Sequence, residues 1–460
     1  MKKRLMFQRL MNFVETDSQH HIALLSGIRR TGKTTLLKQV GDEFEDRVIY
    51  IDLSKTEHSL ESLQNSFLDT TNKLFLLDEI TYLDDYESIV QELYNVCAER
   101  NHKVIITGSS SSHLLKLGST KLGARCRFFR LPLLTFVEYL YFTEKIVNYS
   151  DYNSVTEEHF KSYLTLEGIE GTPAHNLALV FDSDYLSALY EEVNISNQRS
   201  KIRGASVDLK PDDLRDLIQI LAYKLSEAQG YNSTSILESL SVIPGMTVQD
   251  VSRIMSFMLR SGMASVEHYK ASALQETASY SDILYILESA TTQRDLDKVL
   301  KNSSICLVSP LYYSFIGSEI FKVMGVDRNL LGKGVLYGKM LEVYVRGALA
   351  LYGHNSILNT TKINFDGHGE VDIFDAHNRI LCEISSRDKK DDEISVYKYY
   401  PQHDFVRICT SKEKDIYHTR LKFYHIPYAK LCCMIDTGDI MKLSRSKGDD
   451  SLTKSNVFVN

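Results

Sequence analysis

The sequence predicts a multidomain α/β protein whose N-terminal third is built on a parallel sheet, and three observations predict it. Short apolar runs recur at Ile22-Ala-Leu-Leu25, Val48-Ile-Tyr-Ile-Asp52, Leu74-Phe-Leu-Leu-Asp78, Val104-Ile-Ile-Thr107 and Phe128-Phe-Arg-Leu131, as strands buried on both faces require. Helical stretches separate these runs, which is the crossover pattern that parallel strands need. The chain of 460 residues is 43% apolar and 25% charged, an ordinary globular composition with room for about two to four domains.

The elements follow in order. Leu5, Met6, Leu10, Met11 and Val14 form one face of a first helix, and the five runs complete a domain over 1–142. From 143 to 300 helical periodicity takes over, with stripes at Tyr185, Leu186, Leu189 and Tyr190 and at Leu214, Leu217, Ile218, Leu221 and Leu225. Thr247 caps a helix over 248–259, Ser261-Gly262 ends it, and 264–269 reads as the wing of a winged helix spanning about 205–270. Residues 301–444 are mixed, with a helix over 338–350, strands at 370–374 and 380–384, a helix near 391–400 and a strand at 404–409. A polar tail occupies 445–460.

Composition excludes several classes. A net charge of −7 rules out a protein that coats nucleic acid through bulk positive charge. The seven cysteines are odd in number and scattered, with no CxxC pair, so neither a disulfide framework nor a zinc site is expected. The basic start Met1-Lys-Lys-Arg is followed by Gln8 and Arg9 before a signal-peptide core forms, and no apolar stretch is long enough to span a membrane. The expectation is a cytoplasmic protein with no membrane partner.

Gly27-Ile28-Arg29-Arg30-Thr31-Gly32-Lys33-Thr34 matches G-x-x-x-x-G-K-[ST] at every fixed position, after a strand and before a helix that continues through Thr35. Small residues let backbone N–H groups curl around phosphates, Lys33 reaches the β- and γ-phosphates, and Thr34 offers a hydroxyl to Mg²⁺. The expected ligands are ATP and Mg²⁺. Leu74-Phe-Leu-Leu-Asp78-Glu79 ends a strand in two carboxylates. Asp78 is placed to hold the Mg²⁺ shell with Thr34, and Glu79 to polarise the attacking water. After Val104-Ile-Ile-Thr107, Ser109 is either set beside Glu79 or the γ-phosphate, or is part of a Ser-rich helix cap. In Gly123-Ala-Arg125-Cys-Arg127-Phe-Phe-Arg130 the arginines are either surface charges or fingers for a phosphate, Arg125 foremost.

This order of motifs, running on through Leu134-Thr-Phe-Val-Glu138-Tyr139, resembles the AAA-type ATPases of bacteria and archaea that carry a C-terminal domain of unknown function. Two departures are visible: Ala124 stands where that family usually has Gly, and Leu133-Leu-Thr-Phe136 replaces a Pro-Leu-Ser-Phe run with Pro132 displaced by one. The resemblance implies a P-loop ATPase domain, then a winged helix, then a C-terminal domain similar to the PD-(D/E)xK nuclease fold. On that resemblance Glu342, Asp372 and Glu383 follow the order of the nuclease acids, and Ser385 occupies the position of its lysine.

A nuclease needs carboxylates for Mg²⁺ and a cation near the scissile phosphate, and Ser385 is neutral. Over 231–270 the basic residues Arg253, Arg260 and Lys270 are balanced by Glu238, Asp250 and Glu267, so a lid or protein-binding role competes with DNA reading. The functional expectation is an ATP-hydrolysing protein whose nucleotide state controls a winged-helix and degenerate nuclease-like module. An active ATP-dependent DNA nuclease and a slow nucleotide-gated switch or scaffold remain as alternatives. DNA, a protein client and further copies of the chain are the candidate partners.

Overall fold

The computed structural model describes residues 2–28, 30–54, 65, 67–68, 70–71, 73–83, 86–108, 114, 125–175, 247–270, 280–300, 303–311, 334–352, 359–364, 370–375, 380–385, 406–411, 415–418 and 423–445. They fall into two compact units, one of Met1–Leu134, Pro173–Lys201 and Arg260–Gly262 and the other of Thr135–Thr172, Ile202–Leu259 and Met263–Asn460.

In the first unit, strands β1 (Ile22–Ser26), β2 (Val48–Asp52), β3 (Leu74–Asp78), β4 (Lys103–Thr107) and β5 (Cys126–Arg130) form a sheet in the order β2-β3-β4-β1-β5, with every pairing parallel. Alternation along each strand builds two cores. Ile22, Leu24, Phe75, Leu77, Val104 and Ile106 face helix α3 (Tyr86–Arg100) and its buried Ile89, Val90, Leu93 and Cys97. Ala23, Leu25, Leu74, Leu76 and Ile105 face α1 (Leu5–Thr16) and α2 (Lys33–Gly41) through Met6, Leu10, Phe13, Leu36, Leu37 and Val40. Burial on both faces is why β1, β3 and β4 read as nearly unbroken apolar runs, whereas the edge strands β2 and β5 are only partly buried. The chain leaves β1 toward one edge, returns through β3 and β4, and crosses to β5, so the carboxyl ends of β1 and β3 flank the reversal where ligands bind in open α/β sheets.

In the second unit, strands β6 (Ala264–Lys270), β7 (Ser303–Leu307), β8 (Asn359–Asn364), β9 (Glu370–Asp375), β10 (Ile380–Glu383), β11 (Val406–Ser411), β12 (Ile416–His418) and β13 (Phe423–Pro427) form one mixed sheet in the order β12-β13-β11-β10-β9-β8-β6-β7. Its described helices are α4 (Phe136–Phe142), α5 (Glu157–Thr165), α6 (Val248–Ser261), α7 (Tyr280–Ser289), α8 (Gln293–Leu300), α9 (Gly334–Tyr352), α10 (Tyr428–Thr437) and α11 (Ile440–Arg445). A Cβ at Gly347 would collide with the Val308 carbonyl, so α9 approaches that backbone as only glycine permits.

The start of α4 is closed by three sources. Thr135 and Glu138 form a reciprocal capping box, the Phe136 N–H donates to the Tyr344 hydroxyl at 2.6 Å, and the Val137 N–H donates to Asp436 Oδ2 at 3.1 Å. Tyr344 also donates to Asp436 Oδ2 at 2.6 Å, in a cluster with Phe136, Phe160 and Tyr163. Residues 135–142, at the end of the first domain in the sequence reading, thus pack within the second unit.

The helix expected over 248–259 is present and capped by Thr247, whose hydroxyl accepts from the Asp250 N–H at 3.2 Å. Its expected wing is not at an edge. β6 lies between β7 and β8, with Ala264, Ser265, Val266 and Glu267 all buried, so both its faces are covered. The rest of the expected winged helix, over 205–246, the stripes at 185–190 and 214–225, the helix near 391–400 and the tail from 446 lie outside the described residues.

Candidate functional site

β1 ends at Ser26 and the chain turns through the loop 27–32 into α2. Gly27 is needed there, because a Cβ would stand 2.7 Å from the Leu131 carbonyl oxygen and 3.0 Å from Thr31 Oγ1. Arg30 (φ 63°) and Gly32 (φ 88°) are both left-handed, and Gly32 is the N-cap of α2. Residues in that conformation curl successive N–H groups toward one side, as anion-binding backbone does. Thr31 is buried and its hydroxyl donates to the Ile28 carbonyl at 2.8 Å. Lys33 is buried, and its Nζ donates to the Gly27 carbonyl at 2.8 Å and the Ile28 carbonyl at 3.1 Å, so the ammonium lies inside the curve of the loop. Thr34 and Thr35 are exposed at the first turn of α2, and Arg29 lies outside the described residues.

Two strands away, Asp78 closes β3 with 1% of its surface exposed. Both of its oxygens are held by neutral hydroxyls: Tyr50 donates to Oδ2 at 3.0 Å and Thr107 donates to Oδ1. Burial, and then the charge of Asp78, push the Tyr50 phenol above its ordinary range, so it stays a donor. Glu79 is half-buried and left-handed (φ 60°, ψ 45°), a costly conformation for a residue with a Cβ. Its N–H donates to Thr107 Oγ1 at 3.1 Å. Thr107, at the end of β4, therefore bridges both acids: its hydroxyl donates to one side chain and accepts from the next residue's backbone.

This donor set fits Mg²⁺. Asp78 is a buried carboxylate with hydrogen bonds only from neutral hydroxyls, and among the described residues no cation pairs with it. A charge so placed is costly without a counter-ion. Together with the Thr34 hydroxyl it offers the hard oxygen ligands that Mg²⁺ takes.

The structure brings Gly27, Ile28, Arg30, Thr31, Gly32, Lys33, Thr34, Asp78 and Glu79 to the carboxyl end of the five-stranded sheet. Arg125 is not brought there. It precedes β5, whose register pairs Cys126 with Ile22 and Arg130 with Ser26, so Arg125 stands at the amino end of the strands. That is about 16 Å from the loop end, at about 3.3 Å per residue. Its side chain is exposed, with the guanidinium 5.5 Å from the centre of the Tyr94 ring. Ser109 lies outside the described residues. Sequence reasoning missed Tyr50 and Thr107. For Thr107 there was a signal, a polar residue closing an apolar run as Asp78 does; for Tyr50 there was none.

In the second unit, Glu342 lies 3.6 Å from Arg346, which also pairs with the buried Glu267 at 2.7 Å. Asp372 is buried and its Oδ2 accepts from the Ile384 N–H at 2.7 Å; Glu383 is half-buried at the end of β10. The Ser385 N–H donates to Thr410 Oγ1 at 2.5 Å, and that hydroxyl donates back to the Ser385 carbonyl at 2.9 Å. Among the described residues, which include Glu342, Asp372 and Glu383, no three His, Cys, Asp or Glu side chains gather into a group that could hold a metal ion. Arg253, one of the expected basic groups of the winged helix, is buried 3.9 Å from Asp250. No described helix is long and apolar enough to cross a membrane.

Residues 19–140 match the family model of an AAA domain. An uncharacterised protein of Haemophilus influenzae is 28% identical over 149 residues, covering 29% of this chain and 36% of that protein. An uncharacterised protein of Methanocaldococcus jannaschii is 25% identical over 280 residues, covering 52% of this chain and 56% of that protein. The chain thus spans between about a third and just over half of these relatives' lengths. Among solved structures, the RuvB Holliday junction branch migration motor of Thermotoga maritima is 16% identical with a TM-score of 0.27, over 57% of this chain and 86% of that one. Orc1 of Aeropyrum pernix, solved in complex with DNA, is 13% identical with a TM-score of 0.26, over 69% and 93%. At such TM-scores neither likeness bears on function.

Proposed function

With an AAA-type P-loop domain at its N-terminal end, we propose that this chain binds ATP with Mg²⁺ and hydrolyses it at the carboxyl end of the five-stranded sheet. The observation that carries the reading is the Thr107 hydroxyl, which joins Asp78 and Glu79 at the same end of the sheet as the loop that holds the buried Lys33. The loop N–H groups and Lys33 bind the phosphates, and Thr34 with Asp78 would hold the metal, which neutralises charge developing on the phosphates. Glu79 accepts a proton from, and orients, the attacking water. Its left-handed backbone turns the carboxylate out of the strand direction that Asp78 follows.

Nucleotide state then acts on the rest of the chain. Leu131 donates its N–H to the Ser26 carbonyl at 2.7 Å and lies against Gly27, and four residues later the chain enters the capping box at Thr135. A loop that tightens on phosphates pulls on that segment, so ATP binding and release bias the second unit between two arrangements. The order α9-β8-β9-β10-β11 supports a nuclease-like fold there. The Glu342–Arg346 pair and Ser385 support one that does not cleave. Arg125, at the far end of the sheet, serves a nucleotide only in a neighbouring copy of the chain.

The test is phosphate release from ATP with Mg²⁺. Lys33→Ala should lose nucleotide binding, and Glu79→Gln should bind ATP and stall. Equal turnover in wild type and Glu79→Gln would remove Glu79 from the reaction.

A further inference from the structure

Arg4 belongs to none of the motifs, yet it is 6% exposed just before α1. Its guanidinium donates through Nη1 to the Thr31 carbonyl at 2.8 Å and the Pro132 carbonyl at 3.1 Å, and through Nη2 to the Leu133 carbonyl at 3.1 Å. One rigid, planar group therefore fastens the phosphate loop to the segment that follows β5.

The Thr31 contact decides what the loop can offer an anion. A trans peptide is planar, so the Thr31 carbonyl and the Gly32 N–H point in opposite directions. Fastening that carbonyl to Arg4 turns the Gly32 N–H away from Arg4. Gly32, on one side of that peptide, is left-handed, and glycine accommodates either orientation of the plane at little steric cost. A reversed plane would present a carbonyl oxygen, and repulsion, where a phosphate needs a donor. We propose that Arg4 is a positioning residue for phosphate binding: it holds the Thr31–Gly32 peptide with its N–H available to the nucleotide. An arginine suits the task because its fork reaches three carbonyls in fixed geometry, which a lysine's single point cannot. This inference rests on the ATP reading above.

The experiment compares full-length wild type, Arg4→Gln and Arg4→Lys by titration with a fluorescent ATP analogue and by steady-state phosphate release. Each is measured at least about 15 °C below its own thermal midpoint, where the folded state dominates. Lys3→Gln, which removes an exposed neighbouring charge paired with Glu43, is the control for bulk electrostatics. Arg4→Gln should bind ATP about 10- to 100-fold more weakly. Its kcat at saturating ATP should stay within about threefold, because Asp78 and Glu79 are untouched. Arg4→Lys should fall between it and wild type, and it carries the test if Arg4→Gln does not fold. A purely structural arginine lowers the midpoint and leaves the affinity of the folded protein unchanged. That result, or an equal loss in Lys3→Gln, overturns the proposal. Wild-type protein that binds no ATP overturns the ATP reading itself, and this inference with it.

Discussion

Replacing Thr107 by Val removes one hydroxyl and keeps the β-branched shape that β4 packs around. Two hydrogen bonds go with it: the one Thr107 donates to Asp78 Oδ1 and the one it accepts from the Glu79 N–H. A bond to a charged group is worth about 1.5–3 kcal/mol and a neutral one about 0.5–1.5 kcal/mol. Both restrain groups that matter only when correctly placed: the carboxylate that would hold the metal, and the backbone that keeps Glu79 left-handed. If about 2–4 kcal/mol of that restraint is lost at the transition state, kcat falls about 30- to 1,000-fold at about 1.4 kcal/mol per tenfold. ATP affinity should change far less, since Lys33 and the loop keep their own bonds. The assay is phosphate release at saturating ATP and Mg²⁺, paired with nucleotide titration. Thr107→Ser, which restores the hydroxyl, should recover turnover to within about threefold. A folded Thr107→Val protein with wild-type kcat refutes the argument that this hydroxyl organises the two acids.

Three further outcomes are expected. His102 is buried, and desolvation holds its imidazole below the ordinary histidine pKa, with Nδ1 accepting from the Lys73 N–H at 3.1 Å. The unfolded chain therefore takes up a proton below about pH 6.5 that the folded chain resists, so stability falls on acidification through that range by at most about 1.4 kcal/mol per pH unit. In thermal unfolding between pH 5 and 7, His102→Asn should flatten that component, and an unchanged slope refutes it. Arg125→Ala should keep ATP affinity and lose turnover, by about 10³–10⁵-fold if Arg125 serves a neighbouring copy as a full arginine finger. Mixing it with Lys33→Ala should then restore part of the rate, whereas full activity in a strict monomer removes the idea. Plasmid DNA with Mg²⁺ or Mn²⁺ and ATP should remain intact; cleavage that vanishes in Asp372→Ala would show a working nuclease site.

How much of this was legible in the sequence depends on how local each cause is. The central strands β1, β3 and β4 could be read because burial on both faces makes them almost wholly apolar, and the loop because its eight positions are consecutive. Asp78 and Glu79 close a strand in the manner their chemistry requires. Thr107 was harder, since a hydroxyl at a strand end looks like the start of any turn. Arg4 was out of reach because its acceptors lie 27 to 129 residues away. β6 misled for a related reason. Ser265 and Glu267 alternate with apolar neighbours as in a half-exposed wing, but Glu267 meets Arg346, so the polar face is buried against a partner far along the chain. Glu342 was placed by order alone, and the ion pair one turn on at Arg346 shows that order does not settle what a carboxylate faces.

The cap on α4 sets a timetable for biosynthesis. The Val137 N–H and the Asp436 carboxylate that receives it are 299 residues apart. A ribosome adding about 5–20 residues per second takes about 15–60 s to cover that distance. The first unit's sheet is complete at Arg130 and can fold as it emerges. Phe136, Tyr139, Phe160 and Tyr163 can meet one another early, but Tyr344 and Tyr428, which complete the cluster around them, are made about 180 and 265 residues after Tyr163. For most of its synthesis the nascent chain therefore trails a completed five-stranded sheet followed by an aromatic cluster still missing two of its tyrosines. That interval, far longer than the microseconds in which a chain collapses, is when a chaperone has most to hold.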